Sequence, residues 1–115
     1  MALDDLQEDL TPERVAEWHA AGEIELIDVR ESDEREAGHI AGTRHVRFAQ
    51  LSERAETVER ERPVVFYCRS GGRSAVATQA FRASGYDAYN MTGGLLAWVE
   101  KGLPIEPEGG SVADH

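Results

Sequence analysis

Val64-Val65-Phe66-Tyr67-Cys68-Arg69-Ser70-Gly71-Gly72-Arg73-Ser74 is the stretch on which the fold turns. Its apolar residues follow Pro63 and give way at once to a polar, glycine-rich loop. A short apolar run bounded by turn signals reads as a strand buried on both faces, as in parallel sheets. Beyond the loop, Val76, Ala77, Ala80 and Phe81 recur at helical spacing as far as Gly85. A strand passing through a tight loop into a helix belongs to an α/β domain, where ligands lie beyond the carboxyl ends of the strands. Cys68 sits at that place.

The pattern continues on both sides. Thr11-Pro12-Glu13 starts a helix, with an N-cap hydroxyl, proline at the first helical position and an acid in the first turn. Gly22 stops it, and residues 23–29 (EIELIDV) form a strand candidate. Leu51, Ala55 and Val58, spaced four and three apart among charged residues, predict a second helix. Residues 86–91 are a weaker strand candidate. Gly93-Gly94 precede a last helix carrying Leu95, Leu96, Trp98 and Val99, closed by Gly102 and Pro104. Strands alternating with helices predict a mostly parallel sheet.

A chain of 115 residues with 41% hydrophobic content fits one domain with its own core. Residues 11–105 are expected to form it, after an acidic lead at 1–10 and before a polar, Gly-rich tail at 106–115 expected to be disordered. The lead lacks the basic and apolar regions of a signal peptide, and nowhere do 18 apolar residues run together. With Cys68 as the sole cysteine, no internal disulfide and no zinc-type cluster can form. A reducing, cytoplasmic setting is expected. Net charge −10 argues against nucleic acid and anionic membrane as partners. Of the 12 cations only Lys101 is a lysine, a bias that fits a salt-rich or hot habitat and an ordinary acidic surface alike.

Chemistry concentrates in the loop. A thiol at a helix entry faces unpaired backbone N–H groups and the positive end of the helix dipole, both of which favour the thiolate. Gly71-Gly72 let the backbone curl so that successive N–H groups point inward and form an anion-binding nest. Arg69 and Arg73 bracket the curl with positive charge. Lowering a cysteine pKa from about 8.5 to about 7 requires about 2 kcal/mol and raises the thiolate share at neutral pH roughly 15-fold. An anionic substrate would be repelled by that thiolate by up to about 4 kcal/mol at ~4 Å and an effective dielectric near 20. Activating the sulfur and neutralising an incoming anion therefore call for the same loop. A buried cysteine used only for packing is the competing reading. Against it stands Arg73, which opposes the helix dipole at a cost of about 0.3–1 kcal/mol.

In chain order, Leu26-Ile27-Asp28-Val29-Arg30, Gly38-His39-Ile40-Ala41-Gly42, the loop from Val65 to Ser74, and Gly93-Gly94-Leu95-Leu96-Ala97-Trp98 with Gly102-Leu103-Pro104 resemble the rhodanese family of sulfurtransferases. The resemblance implies an α/β, rhodanese-like fold with a sheet of about five mostly parallel strands flanked by helices on both faces. It also implies a single-domain thiosulfate sulfurtransferase. Cys68 would take a sulfane sulfur from a small anionic donor such as thiosulfate, become a persulfide, and pass the sulfur to cyanide or a thiol. Arg69, Ser70, Gly71, Gly72, Arg73 and Ser74 would bind the substrate, with neither metal nor organic cofactor. His45-Val46-Arg47 departs from the family's Asn-(Ile or Val)-Pro turn. Without a second cysteine, the persulfide must be collected from outside, by a small thiol or a thioredoxin-like protein.

Two rival functions fit the loop. One is a non-catalytic persulfide carrier or regulatory module, whose loop would look the same. The other is a cysteine phosphatase or arsenate reductase, but those use Cys-x5-Arg, whereas Cys68 and Arg73 frame the shorter Cys-x4-Arg. Elsewhere, His39 reads as a turn histidine and Asp28 as a brace for its neighbouring turn. Trp18 and Trp98 read as packing, and Glu34-Arg35-Glu36 as a solvated polar face.

Overall fold

The structure, a computed structural model, describes residues 9–113. Five strands, β1 (Asp9–Leu10), β2 (Glu25–Asp28), β3 (Arg44–His45), β4 (Val64–Tyr67) and β5 (Ala88–Met91), form one sheet in the order β1-β5-β4-β2-β3. Every neighbouring pair is parallel, so the sheet is parallel throughout rather than mostly so. The helices are α1 (Pro12–Ala20), α2 (Ser32–Ala37), α3 (Leu51–Arg54), α4 (Gly72–Ala83) and α5 (Gly94–Glu100).

Alternation along the strands divides the core in two. Val65 and Tyr67 face Val15 and Trp18 of α1 and Leu95 and Trp98 of α5. Val64, Phe66 and Cys68 face Leu51, Val58 and, on α4, Ala77 and Phe81. Helices thus cover both faces, as expected, and the apolar run at 64–67 is the central strand. The cysteine lies just past its carboxyl end.

Several expectations need correction. The predicted second helix is a broken one: α3 is flanked by single 3-10 turns at Phe48–Gln50 and Ala55–Thr57. On α4 the buried face is Ser74, Ala77, Thr78 and Phe81, while Val76 is exposed. Thr78 can be buried because its hydroxyl donates to the Ser74 carbonyl. The last two residues of the expected acidic lead are β1, which pairs with β5 and is fastened by Asn90 donating to Asp9 at 3.1 Å. Residues 1–8 of that lead lie outside the described residues.

The tail expected to be disordered is tied to the domain between 106 and 113, although 106–109 and 111 are exposed. His39 and Glu106 exchange both backbone hydrogen bonds at 2.9 and 2.8 Å, and Ser111 N–H donates to the Ala37 carbonyl at 2.8 Å. Val112 packs against the α1/α5 core. Polar composition hid this because the segment is held by backbone pairing to the 37–39 turn and by little apolar area. At Gly38 a Cβ would stand 2.4 Å from the Ser111 carbonyl oxygen, so only glycine lets the tail lie this close.

Candidate active site

Cys68 follows β4 directly, and the chain then curls through Arg69, Ser70 and Gly71 into α4. Gly71 caps the helix at φ 104°, in the left-handed region that glycine enters without strain. That turn aims its N–H at the Cys68 sulfur, 3.1 Å away, and the Ser74 hydroxyl donates to the same sulfur at 3.4 Å. Burial pushes the Cys68 thiol up. Hydrogen bonds from the Ser74 hydroxyl and from the amides of Ser74, Gly71 and Ser70 outweigh it, so the thiol lies below its ordinary value. Cys68 is only 1% exposed, yet it lines an open cavity of about 660 Å3 with Glu31, Asp33, Arg69, Ser70, Gly72 and Arg73. The sulfur is at the floor of a cup, ringed by inward-facing amides.

A second element holds the ring. The Leu95 and Leu96 amides at the start of α5 donate to the Cys68 and Arg69 carbonyls at 2.8 and 3.1 Å. With its carbonyls turned toward α5, the loop has its amides free to face the sulfur. Gly94 makes the approach possible: its φ is 61°, and a Cβ would stand 2.5 Å from both carbonyl oxygens. Gly93-Gly94 was legible as a helix entry, but its contact with the loop required knowing that β5 lies beside β4.

The two arginines are placed differently from expectation. Arg73 makes a bidentate pair with Glu34, Nη1 to Oε1 at 2.8 Å and Nη2 to Oε2 at 2.9 Å. Hydrogen bonding to Glu34, opposed by partial burial, raises the guanidinium above its usual value. Glu34 is fully buried rather than part of a solvated face. It also accepts the Glu31 N–H at 2.9 Å, closing the first turn of α2. Arg69 donates through Nε to the Ala113 carbonyl at 3.1 Å. Both guanidinium groups that bracket the loop are therefore bonded within the protein, Arg73 to a carboxylate and Arg69 to a carbonyl.

Asp28, Arg30 and His39 lie outside the cup. Arg30 forks onto Asp28 at 2.9 and 2.8 Å and reaches the Gly38 carbonyl at 2.7 Å, bracing the turn at 38–40. His39 Nδ1 bonds the Arg35 carbonyl at 3.0 Å, a structural role as read from the sequence. In the divergent turn, His45 Nε2 bonds the Arg30 carbonyl at 2.7 Å, and Arg47 pairs with Glu31 at 3.4 Å. No helix among the described residues is long and apolar enough to cross a membrane.

Residues 11–101 match the rhodanese-like domain family. The chain is 41% identical over 78 residues to YqhL of Bacillus subtilis, an uncharacterized protein, covering 67% of this chain and 62% of that one. It is 36% identical over 89 residues to a sulfurtransferase of Allochromatium vinosum, covering 76% and 83%. Among solved structures, a rhodanese-related protein of Thermoplasma volcanium superposes with a TM-score of 0.81 at 26% identity, over 87% of this chain and 98% of that one. A sulfur-centred ring of amides after the central parallel strand, in a chain matched over 11–101, makes this protein a member of the rhodanese-like domain family.

Proposed function

We propose that this chain is a sulfurtransferase that carries sulfur as a Cys68 persulfide. The supporting observation is the sulfur at the floor of an open cup, receiving N–H bonds from the turn into α4. The Cys68 thiolate attacks the outer sulfur of a donor such as thiosulfate; the donor's S–S bond breaks and sulfite leaves with the electron pair. Amides of Arg69, Ser70, Gly71, Gly72, Arg73 and Ser74 receive the added sulfur and its negative charge. An acceptor then attacks that outer sulfur and Cys68 leaves as thiolate. No metal or organic cofactor enters either step. Because Cys68 is the sole cysteine, the acceptor is external: cyanide in an assay, a small thiol or a thioredoxin-like protein in a reducing cytoplasm.

A phosphatase reading is disfavoured by the arginine. Arg73, which would have to clamp a phosphate, is held by Glu34 in a bidentate pair. Intact-mass spectrometry after thiosulfate treatment tests the proposal. One sulfur should be gained and then lost on adding cyanide, and Cys68→Ser should gain none. Hydrolysis of p-nitrophenyl phosphate without sulfur gain would reverse the assignment. Loading without turnover would leave a carrier.

A further inference from the structure

Arg69 and Arg73 both line the cup, and both are tied to the same short helix, α2. Arg73 is held from the middle of α2 by the Glu34 carboxylate. Arg69 is held from its end, through residues 110–113. The last carbonyl of α2, at Ala37, accepts the Ser111 N–H at 2.8 Å. Two residues on, the Ala113 carbonyl accepts the Arg69 Nε–H at 3.1 Å. Val112 lies between them and packs against the α1/α5 core, so the segment is fixed by a backbone bond and by apolar contact together. The approach of the two backbones requires glycine on both sides. A Cβ at Gly38 would stand 2.4 Å from the Ser111 carbonyl oxygen, and one at Gly110 would stand 2.8 Å from that of Ala37. Gly38 has φ 174°, extended backbone that any residue adopts, so its missing side chain serves the approach alone.

We propose that residues 110–113 are a positioning strap, tied to the end of α2 at Ser111, that holds Arg69 at the wall of the cup through the Ala113 carbonyl. The bond to Ala113 leaves the charge of Arg69 intact and sets where that charge stands. An arginine beside an open cavity otherwise spreads over many rotamers, and its field at the sulfur falls with the average distance. Arg69 is half-buried and follows Cys68 directly, so a small change in its direction moves a full positive charge toward or away from the approach to the thiolate. A cation fixed there serves the sulfur-transfer reading of the site, on which this role rests, yet it acts on any anion that nears Cys68. Ser111 and Ala113 are thus positioning residues, acting on the chemistry only through Arg69.

The test compares alkylation of Cys68 in the full chain by iodoacetate, an anion, and by neutral iodoacetamide. In both reactions the thiolate attacks carbon, a thioether forms and iodide leaves with the electron pair, so the ratio of rates reads the charge at the approach. Rates are measured in the wild type, Gly38→Ala, Ser111→Pro and Arg69→Ala, and in Arg69→Ala combined with each of the other two. Gly38→Ala pushes the strap off the turn, and Ser111→Pro removes the N–H donor from the strap itself. Each should lower the iodoacetate-to-iodoacetamide ratio about threefold, the scale of one partly screened charge moved from the approach. Raising KCl should shrink that difference. Arg69→Ala should lose at least as much, and the strap variants should add nothing to it. A strap that only stabilises the domain would change both rates together and leave the ratio as in the wild type. That result, or a strap effect that persists in the Arg69→Ala background, would overturn the proposal. Should Gly38→Ala fail to fold, Ser111→Pro decides alone. Thiosulfate loading by intact mass, run alongside, keeps the two readings apart: a wild type that gains no sulfur removes sulfur transfer, while the alkylation ratios still decide the strap.

Discussion

Replacing Gly94 by alanine should damage both the fold and the thiol. Two separate costs arise. The residue sits at φ 61°, where a Cβ costs about 1–2 kcal/mol. The new methyl would also stand 2.5 Å from the Cys68 and Arg69 carbonyl oxygens, so α5 must withdraw. Withdrawal breaks the bonds from the Leu95 and Leu96 amides, worth about 1 kcal/mol each. The sum is roughly 3–4 kcal/mol. At about 4 °C per kcal/mol for a domain of this size, Tm should fall by roughly 12–16 °C. Freed carbonyls would let the loop turn its amides from the sulfur, so the pH midpoint of Cys68 alkylation by iodoacetamide should rise as well. Gly102→Ala is the control: its φ is 79°, but nothing lies within 4 Å of a Cβ there. It should cost only the conformational share, about 1–2 kcal/mol, and leave alkylation unchanged. Equal Tm losses in the two variants, with Cys68 alkylating as in the wild type, would refute the idea that α5 aims the loop.

Ser74→Ala removes a hydroxyl donor to the sulfur and should raise the pH midpoint of alkylation, because the thiolate loses a hydrogen bond that favours it. The sign for stability follows: with the thiol held below its ordinary value, the thiolate adds stability above that ordinary range. This stability fades as pH falls through the lowered value, and the variant should show a smaller fade in urea titrations. Glu34→Gln leaves Arg73 without its bidentate partner. Stability should drop by about 2–3 kcal/mol, below the full loss for a buried pair because Arg73 is 30% exposed; chemical denaturation reads it directly. Tyr67, pushed up to about 12 by burial, favours folding below its ordinary value near 10 and loses that contribution as pH rises from about 10 to 12. Tyr67→Phe should blunt the alkaline loss seen in circular dichroism while weakening the turn at Ile40, whose N–H the hydroxyl accepts at 3.2 Å.

The parts legible in the sequence are those where local chemistry and burial agree. Thr11-Pro12 marks α1 by capping alone, and the run at 64–67 declares a central strand because both faces are covered. The loop could be read because cysteine, glycines and helix entry are contiguous. Glu34 could not. It belongs to a hexapeptide, Ser32–Ala37, with no apolar stripe, and its burial depends on an arginine 39 positions away. The short strand β1 has no pattern of its own and exists by pairing with β5. Val76 had helical spacing but not the inward direction, which went to Ser74 and Thr78 because hydrogen bonds satisfy their hydroxyls. For Glu34 and β1 the missing information was a partner distant along the chain.

A crystal structure of the protein after donor treatment would test most directly whether the amide ring makes Cys68 a sulfur acceptor. One added sulfur should be bonded to the Cys68 sulfur and lie within hydrogen-bond distance of the amides between Ser70 and Ser74. An unmodified thiol, or an added sulfur bonded to Cys68 but standing outside that ring, would contradict the account.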